Sequence, residues 1–249
     1  MIVLPPNIEI MDDALILIPC CKVKRVTPSR GPGHRPPFDL GSSRSGLLSR
    51  IRETAEIAGR KENLDGILNE AGTPVQAVGL YDGHFYRKTH DVLRAIARGD
   101  HPSLHLFIVS ALYGLVDLNE PLKTYDLMMG EKLHGGLPVW RYWQENGLAE
   151  KLEEYVEGHA ITHIWSLLPD SKPAYPYQQV FEAFWDHARD TDVRCVHVTS
   201  PGAGSGSGAR RAAWLHDVVT RCPGHLCQDE LPLDRTLTIA GYDYLYRRC

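Results

Sequence analysis

Thiols, amines, hydroxyls and carboxylates stand directly after apolar runs at three places in this chain. Cys20-Cys21-Lys22-Val23-Lys24 follows Ala14 to Pro19, and Tyr81-Asp82-Gly83-His84-Phe85-Tyr86-Arg87 follows Val75 to Leu80. Ser110-Ala111-Leu112-Tyr113-Gly114 follows Phe107 to Val109, with Tyr125-Asp126 a little further on. A lysine desolvated beside a pocket could attack as an amine and pass through a Schiff base. Lys22 and Lys24, with arginines nearby, are more simply cations that neutralise phosphates. Cys20 and Cys21 could be nucleophiles or ligands, although one of two neighbours is readily a small buried apolar residue. His84 could position water or contact a phosphate, and a histidine on a surface loop would look the same.

In an open sheet the ligand crevice lies just beyond the carboxyl ends of the strands, so the three loops are expected to share one rim. The apolar runs Ala14 to Pro19, Val75 to Leu80, His163 to Leu168 and Val193 to Val198 read as strands, and the stretch Phe107 to Val116 as a strand that empties into a loop of hydroxyls and glycine. Gly46 to Leu68, Thr89 to Arg98, Trp140 to Val156, Pro176 to Ala188 and Ala209 to Val219 read as helices. Such alternation predicts an α/β fold with a largely parallel central sheet and helices on both faces. Leu237 to Tyr246 would add an edge strand.

With 249 residues, 43% of them hydrophobic and 23% charged, the chain can bury a substantial core, and a single α/β domain is expected. Residues 14–130 carry the motifs and 131–249 complete the fold. No apolar run reaches membrane-span length, and Glu9, Asp12 and Asp13 stand where a secretory signal needs positive charge, so a soluble cytoplasmic protein is expected. The scattered cysteines argue for reduced thiols. The formal net charge of −4 conceals an uneven distribution. Residues 20–52 hold eight basic side chains against the single acid Asp39, and Pro28 to Pro37 reads as a long basic mobile loop.

Pro201 to Gly208 is rich in glycine and serine between a strand and a helix, a context in which backbone N–H groups hold phosphate. It lacks the ending of a P-loop, so a flexible connector competes with a phosphate contact aided by Arg210 and Arg211. Cys222 to Cys227 has ligand types without the spacing of a zinc site.

The segments IPCCKVK, LYDGHFYRKTH and FIVSALYGLVDLNEPLKTYD, in this order, resemble the superfamily of the peroxide-stress protein YaaA and its DNA-glycosylase-like relatives. The chain is also similar to bacterial anti-phage DNA glycosylases that remove hypermodified cytosines. The resemblance implies an enzyme that needs no cofactor, binds modified DNA and hydrolyses an N-glycosidic bond to leave an abasic site. Such cleavage passes through an oxocarbenium-like sugar and needs a carboxylate nearby. The family's Tyr-Asp pair maps onto Tyr125-Asp126, which makes Asp126 the first choice and Asp82 the second. A helix N-cap would also explain Asp126, and a turn residue would explain Asp82. A flipped base would stack on Tyr81, Phe85, Tyr86, Tyr113 or Tyr125, with Ser110 and Cys20 as polar contacts and Gly83 and Gly114 where backbone turns or approaches closely. Lys22, Lys24, Arg25, His84, Arg87, Arg210 and Arg211 would hold the DNA backbone. A non-catalytic DNA-binding stress protein and an enzyme acting on free nucleosides or nucleotides are the alternatives.

Overall fold

The computed structural model describes residues 13–25, 36–57, 64–169, 176–221, 223–228 and 233–249. The segment 26–35, with Arg30 and Arg35 of the expected basic loop, lies outside the described residues, as does Cys222. The chain runs through β1 (Ala14–Pro19), α1 (Gly41–Ile57), α2 (Leu64–Leu68), β2 (Val75–Gln76), α3 (Ala77–Leu80), α4 (His84–Ala97), β3 (Leu104–Ser110), β4 (Gly114–Asp117) and β5 (Pro121–Leu122). It continues through α5 (Val139–Glu145), α6 (Leu148–Gly158), β6 (His163–Ser166), α7 (Tyr177–Val180), α8 (Glu182–Ala188), β7 (Arg194–Thr199), α9 (Ser207–Arg221), β8 (Thr236–Ile239) and β9 (Tyr242–Arg248).

Seven strands form one sheet in the order β4-β3-β1-β6-β7-β9-β8. The inner four, β3, β1, β6 and β7, are parallel, and antiparallel strands close both sides. Every residue of β1 is buried, because a central strand covered on both faces must be apolar throughout. The two faces are distinguished by tryptophans. Trp214 of α9 packs on Trp165 and Tyr246, whereas Trp185 of α8 meets His197, which points to the opposite side of β7 from Val196, the in-register partner of Trp165. Helices therefore cover both faces, as expected. Among the described residues no helix is long and apolar enough to cross a membrane.

The local differences from expectation have physical reasons. Val75 to Leu80 is not a sheet strand: only Val75 and Gln76 pair, with β5, and Ala77 to Leu80 turn as a short buried helix. A short apolar run satisfies core burial in either conformation. α4 begins at His84, right behind Gly83, so His84, Phe85, Tyr86 and Arg87 form its first turn rather than a loop. Trp140 to Val156 splits into α5 and α6 at Gly147, which takes a left-handed φ of 77°. Pro176 to Ala188 breaks into α7 and α8 at Phe181. Phe107 to Val116 is a hairpin, turned at Gly114 with φ 72°. The tail contributes two strands, and β8 rather than β9 forms the edge.

Several cations of the basic segment are committed within the molecule. Arg44, half-buried in α1, pairs with the buried Glu120 and donates to the carbonyls of Tyr113 and Leu115. Arg52 pairs with Glu70. Among the described residues, Arg44 thus ties α1 to the β4–β5 region and Arg52 ties it to the turn after α2.

Candidate functional site

The four parallel strands change winding direction between β1 and β6: the chain goes from β1 to β3 on one side and later resumes at β6 on the other. A crevice is required at such a switch point, beyond the carboxyl ends of the two strands. A cleft of ≈ 630 Å³ lies there. Pro19 to Lys22 after β1 form one wall, Leu127 to Met129 a second, and Pro169 with Tyr177 follow β6. Gly204, Ser207 and Arg211, at the start of α9, complete it.

The loop after β1 is held from both sides. Cys20 N–H donates to Val109 O at 3.0 Å, prolonging the strand pairing, and Tyr86 Oη donates to Pro19 O at 2.7 Å. Arg25 N–H donates to Leu80 O, and Asp82 N–H to Val23 O. Cys21 Sγ accepts from Gly83 N–H at 3.3 Å and donates to Val23 O at 3.0 Å. A Cβ on residue 83 would stand 3.0 Å from that sulfur, which explains glycine here. Burial pushes the Cys21 thiol up to about 11, so it is a neutral structural thiol and no nucleophile at physiological pH. Cys20, by contrast, opens on the cleft and meets Tyr177 Oη at 3.2 Å.

A buried chain of hydroxyls joins the second and third loops to the first. Tyr125 Oη lies 2.8 Å from Ser110 Oγ and 3.1 Å from Tyr81 Oη, while Tyr113 N–H donates to Ser110 Oγ at 3.1 Å. Lys24 Nζ sits 3.9 Å from the centre of the Tyr125 ring and donates to Cys21 O. Burial lowers the Lys24 ammonium below its ordinary range and raises the phenols of Tyr81, Tyr125 and Tyr177. The three loops thus meet, as expected of a shared rim.

Their aromatic rings do not face the cleft. Tyr81, Phe85, Tyr86 and Tyr125 are buried and pack on one another, with Tyr81 and Tyr86 stacked at 5.1 Å. Tyr113 packs edge-on against Tyr125 and donates to Lys123 O. Gly114 holds the β3–β4 turn beneath Leu148 and Trp143 rather than approaching the cleft. Apolar surface there comes from Leu127, Met128 and Met129, beside the buried Tyr177, all of which sequence reasoning passed over. Tyr177 stands beyond the carboxyl end of β6, so the strand-end rule that singled out the first loop also points to it.

The two candidate carboxylates have different settings. Asp126 lies in irregular chain, its N–H donating to Ile67 O, so it caps no helix. It lines a second hollow of ≈ 390 Å³ that shares Lys22, Leu127 and Met128 with the main cleft. Its Oδ2 is 3.9 Å from Lys22 Nζ. Asp82 is instead clasped by Arg25 at 2.9 Å and Arg87 at 3.3 Å beside His90. Partial burial alone would raise its carboxyl pKa, but the hydrogen bonds and charges of Arg87 and Arg25 outweigh it and lower the value. Its side chain serves an ion pair rather than a turn. His84 is exposed at the start of α4. Arg210 bonds Pro201 O and lies over Tyr242, whereas Arg211 lines the cleft.

Fold and cleft together define an α/β protein with an open crevice at the switch point of a mostly parallel sheet, lined by cations and thiols and adjoined by a hollow that holds the Asp126 carboxylate. The chain belongs to the family of the peroxide stress protein YaaA, whose model matches residues 48–172. The match takes in α4, β3 and the Ser110 to Asp126 segment, and begins after the Cys20 to Lys24 loop. No curated protein matches the chain.

Proposed function

We propose that the cleft receives a nucleotide flipped out of DNA and hydrolyses its N-glycosidic bond, releasing a modified base and leaving an abasic site. The observation that carries this reading is the Asp126 carboxylate, 3.9 Å from Lys22, in the hollow that shares Lys22, Leu127 and Met128 with the cleft. The carboxylate would stabilise the oxocarbenium-like sugar and orient water on C1′, while the C1′–N electron pair leaves with the base. Tyr177, a neutral phenol in the cleft, would supply the base's proton and recover it from the attacking water. Met128, with its exposed side chain, offers the apolar face on which a flipped base can rest. Glucosylated hydroxymethylcytosine of phage DNA is the substrate suggested by the resemblance, and cytoplasmic antiviral defence the role.

The test is incubation with unmodified DNA and with phage DNA carrying glucosylated hydroxymethylcytosine, with alkali treatment and gel analysis afterwards. Alkali-sensitive breaks in the modified DNA alone, absent with Asp126→Asn, are expected. Intact DNA in every lane would end the glycosylase reading for that base. A second reading, DNA binding without catalysis, is favoured by the 57% exposure of the Asp126 side chain, since a carboxylate in water has little of the field strength of a buried one. It predicts that Asp126→Asn binds DNA and protects cells as the wild type does.

A further inference from the structure

Arg211 differs from the other cations around the site. Arg25 and Arg87 are neutralised by Asp82, Arg44 by Glu120, and Lys22 has Asp126 within reach. Among the described residues the Arg211 guanidinium has no acidic partner, and its Nε, sealed from solvent, has no hydrogen-bond acceptor. Burial pushes its pKa down to about 10, yet it stays charged at neutral pH. A half-buried arginine whose sealed Nε has no acceptor costs stability unless something outside the protein completes it. The cleft that it lines has Lys22 as a second cation and, among the described residues, no carboxylate in its lining. Gly204 and Ser207 bring the amino end of the 15-residue α9 and a hydroxyl to the same space.

We infer that Arg211 anchors a phosphate subsite inside the cleft, so that the ligand is held by a buried phosphate ester and not only by cations on the surface. A phosphate presents the multi-oxygen acceptor that a guanidinium fork matches, with oxygens left over for Lys22 and Ser207. A carboxylate would have to share two oxygens among all three groups, where a phosphate monoester offers three unesterified oxygens in a tetrahedral array. The subsite also separates the two neighbouring arginines: Arg211 recognises, while Arg210 secures the chain through Pro201 O and Tyr242. In taking the ester to be a nucleotide's, the inference rests on the nucleic-acid reading above.

The experiment measures thermal midpoints of the full-length protein with inorganic phosphate, 2′-deoxycytidine 5′-monophosphate, deoxycytidine and succinate. Phosphate and the monophosphate are expected to raise the wild-type midpoint, and deoxycytidine and succinate to leave it unchanged. Arg211→Gln should weaken the monophosphate on the order of 10- to 100-fold, the loss of one charged hydrogen-bonding group. Arg211→Lys should keep part of the shift, and it decides the matter if the glutamine variant does not fold. An undiminished shift in the variants, an equal shift from succinate, or no shift from either phosphate probe in the wild type would overturn the subsite. Because no cleavage is read, a protein that takes phosphate but never releases a base keeps the subsite and loses the glycosylase reading. Base release untouched by Arg211→Gln does the reverse.

Discussion

Lys24 Nζ rests 3.9 Å above the ring of Tyr125, whose hydroxyl is at the same time bonded to Ser110 and Tyr81. One side chain therefore supports a half-buried cation with its face and joins two loops with its edge. Tyr125→Phe keeps the face and removes the bonds, and it should cost about 1–3 kcal/mol of unfolding free energy. Tyr125→Leu removes the face as well and should cost roughly 1 kcal/mol more. Urea denaturation of the two variants checks this, and equal losses would show that the cation over the ring contributes nothing.

Asp82 between Arg25 and Arg87 gives a prediction that separates restraint from catalysis. Asp82→Asn releases two arginines at the surface, so non-specific DNA affinity should rise and its decline with salt should steepen. Fluorescence anisotropy over a salt series reads both. Tighter binding with base release abolished would instead make Asp82 the working carboxylate.

His197 makes stability fall in acid. Its buried Nδ1 has no hydrogen-bond partner among the described residues, and burial, with the charges of Arg189 and Arg247, lowers its pKa from 6.5 to about 4. Above pH 6.5 neither the folded nor the unfolded chain carries this proton. Between that value and about 4 the unfolded chain binds a proton that the fold refuses, so stability declines as pH falls. The full effect is on the order of 3 kcal/mol. Comparing wild type with His197→Gln at neutral pH and close to pH 4 should show that the variant loses less, and parallel losses would remove His197 as the cause.

Gly114 is a test of backbone necessity. Its φ is 72°, and a Cβ would stand 2.9 Å from Leu148 Cδ1 and 3.1 Å from the Trp143 ring. Gly114→Ala should destabilise by about 1–3 kcal/mol from backbone strain, with overlap adding to it. Gly99, also at positive φ but with no atom near its Cβ position, is the control. Equal losses at the two sites would mean that packing against Trp143 is irrelevant.

The central sheet was legible because β1 and β3 are continuous apolar runs, the pattern that burial on both faces demands. The helical fate of Ala77 to Leu80 was not, since four buried apolar residues fit either geometry. The residues of the first loop were visible from their place after a strand. Their partners were not: Cys20 meets Tyr177 across 157 residues, and Arg44 meets Glu120 across 76, and neither pairing leaves a local pattern. Arg211 stands out in the sequence only for its glycine-rich surroundings, and its lack of an acidic partner among the described residues is a property of the folded state alone.

The cleft at the switch point has a consequence for how the protein is made. One wall is complete once Lys22 has been synthesised, whereas the other waits for Arg211, nearly the whole chain later. Contacts of such sequence separation form late, after the intervening strands have found their places. The cleft is therefore assembled only late in synthesis, when α9 has joined the strands laid down before it.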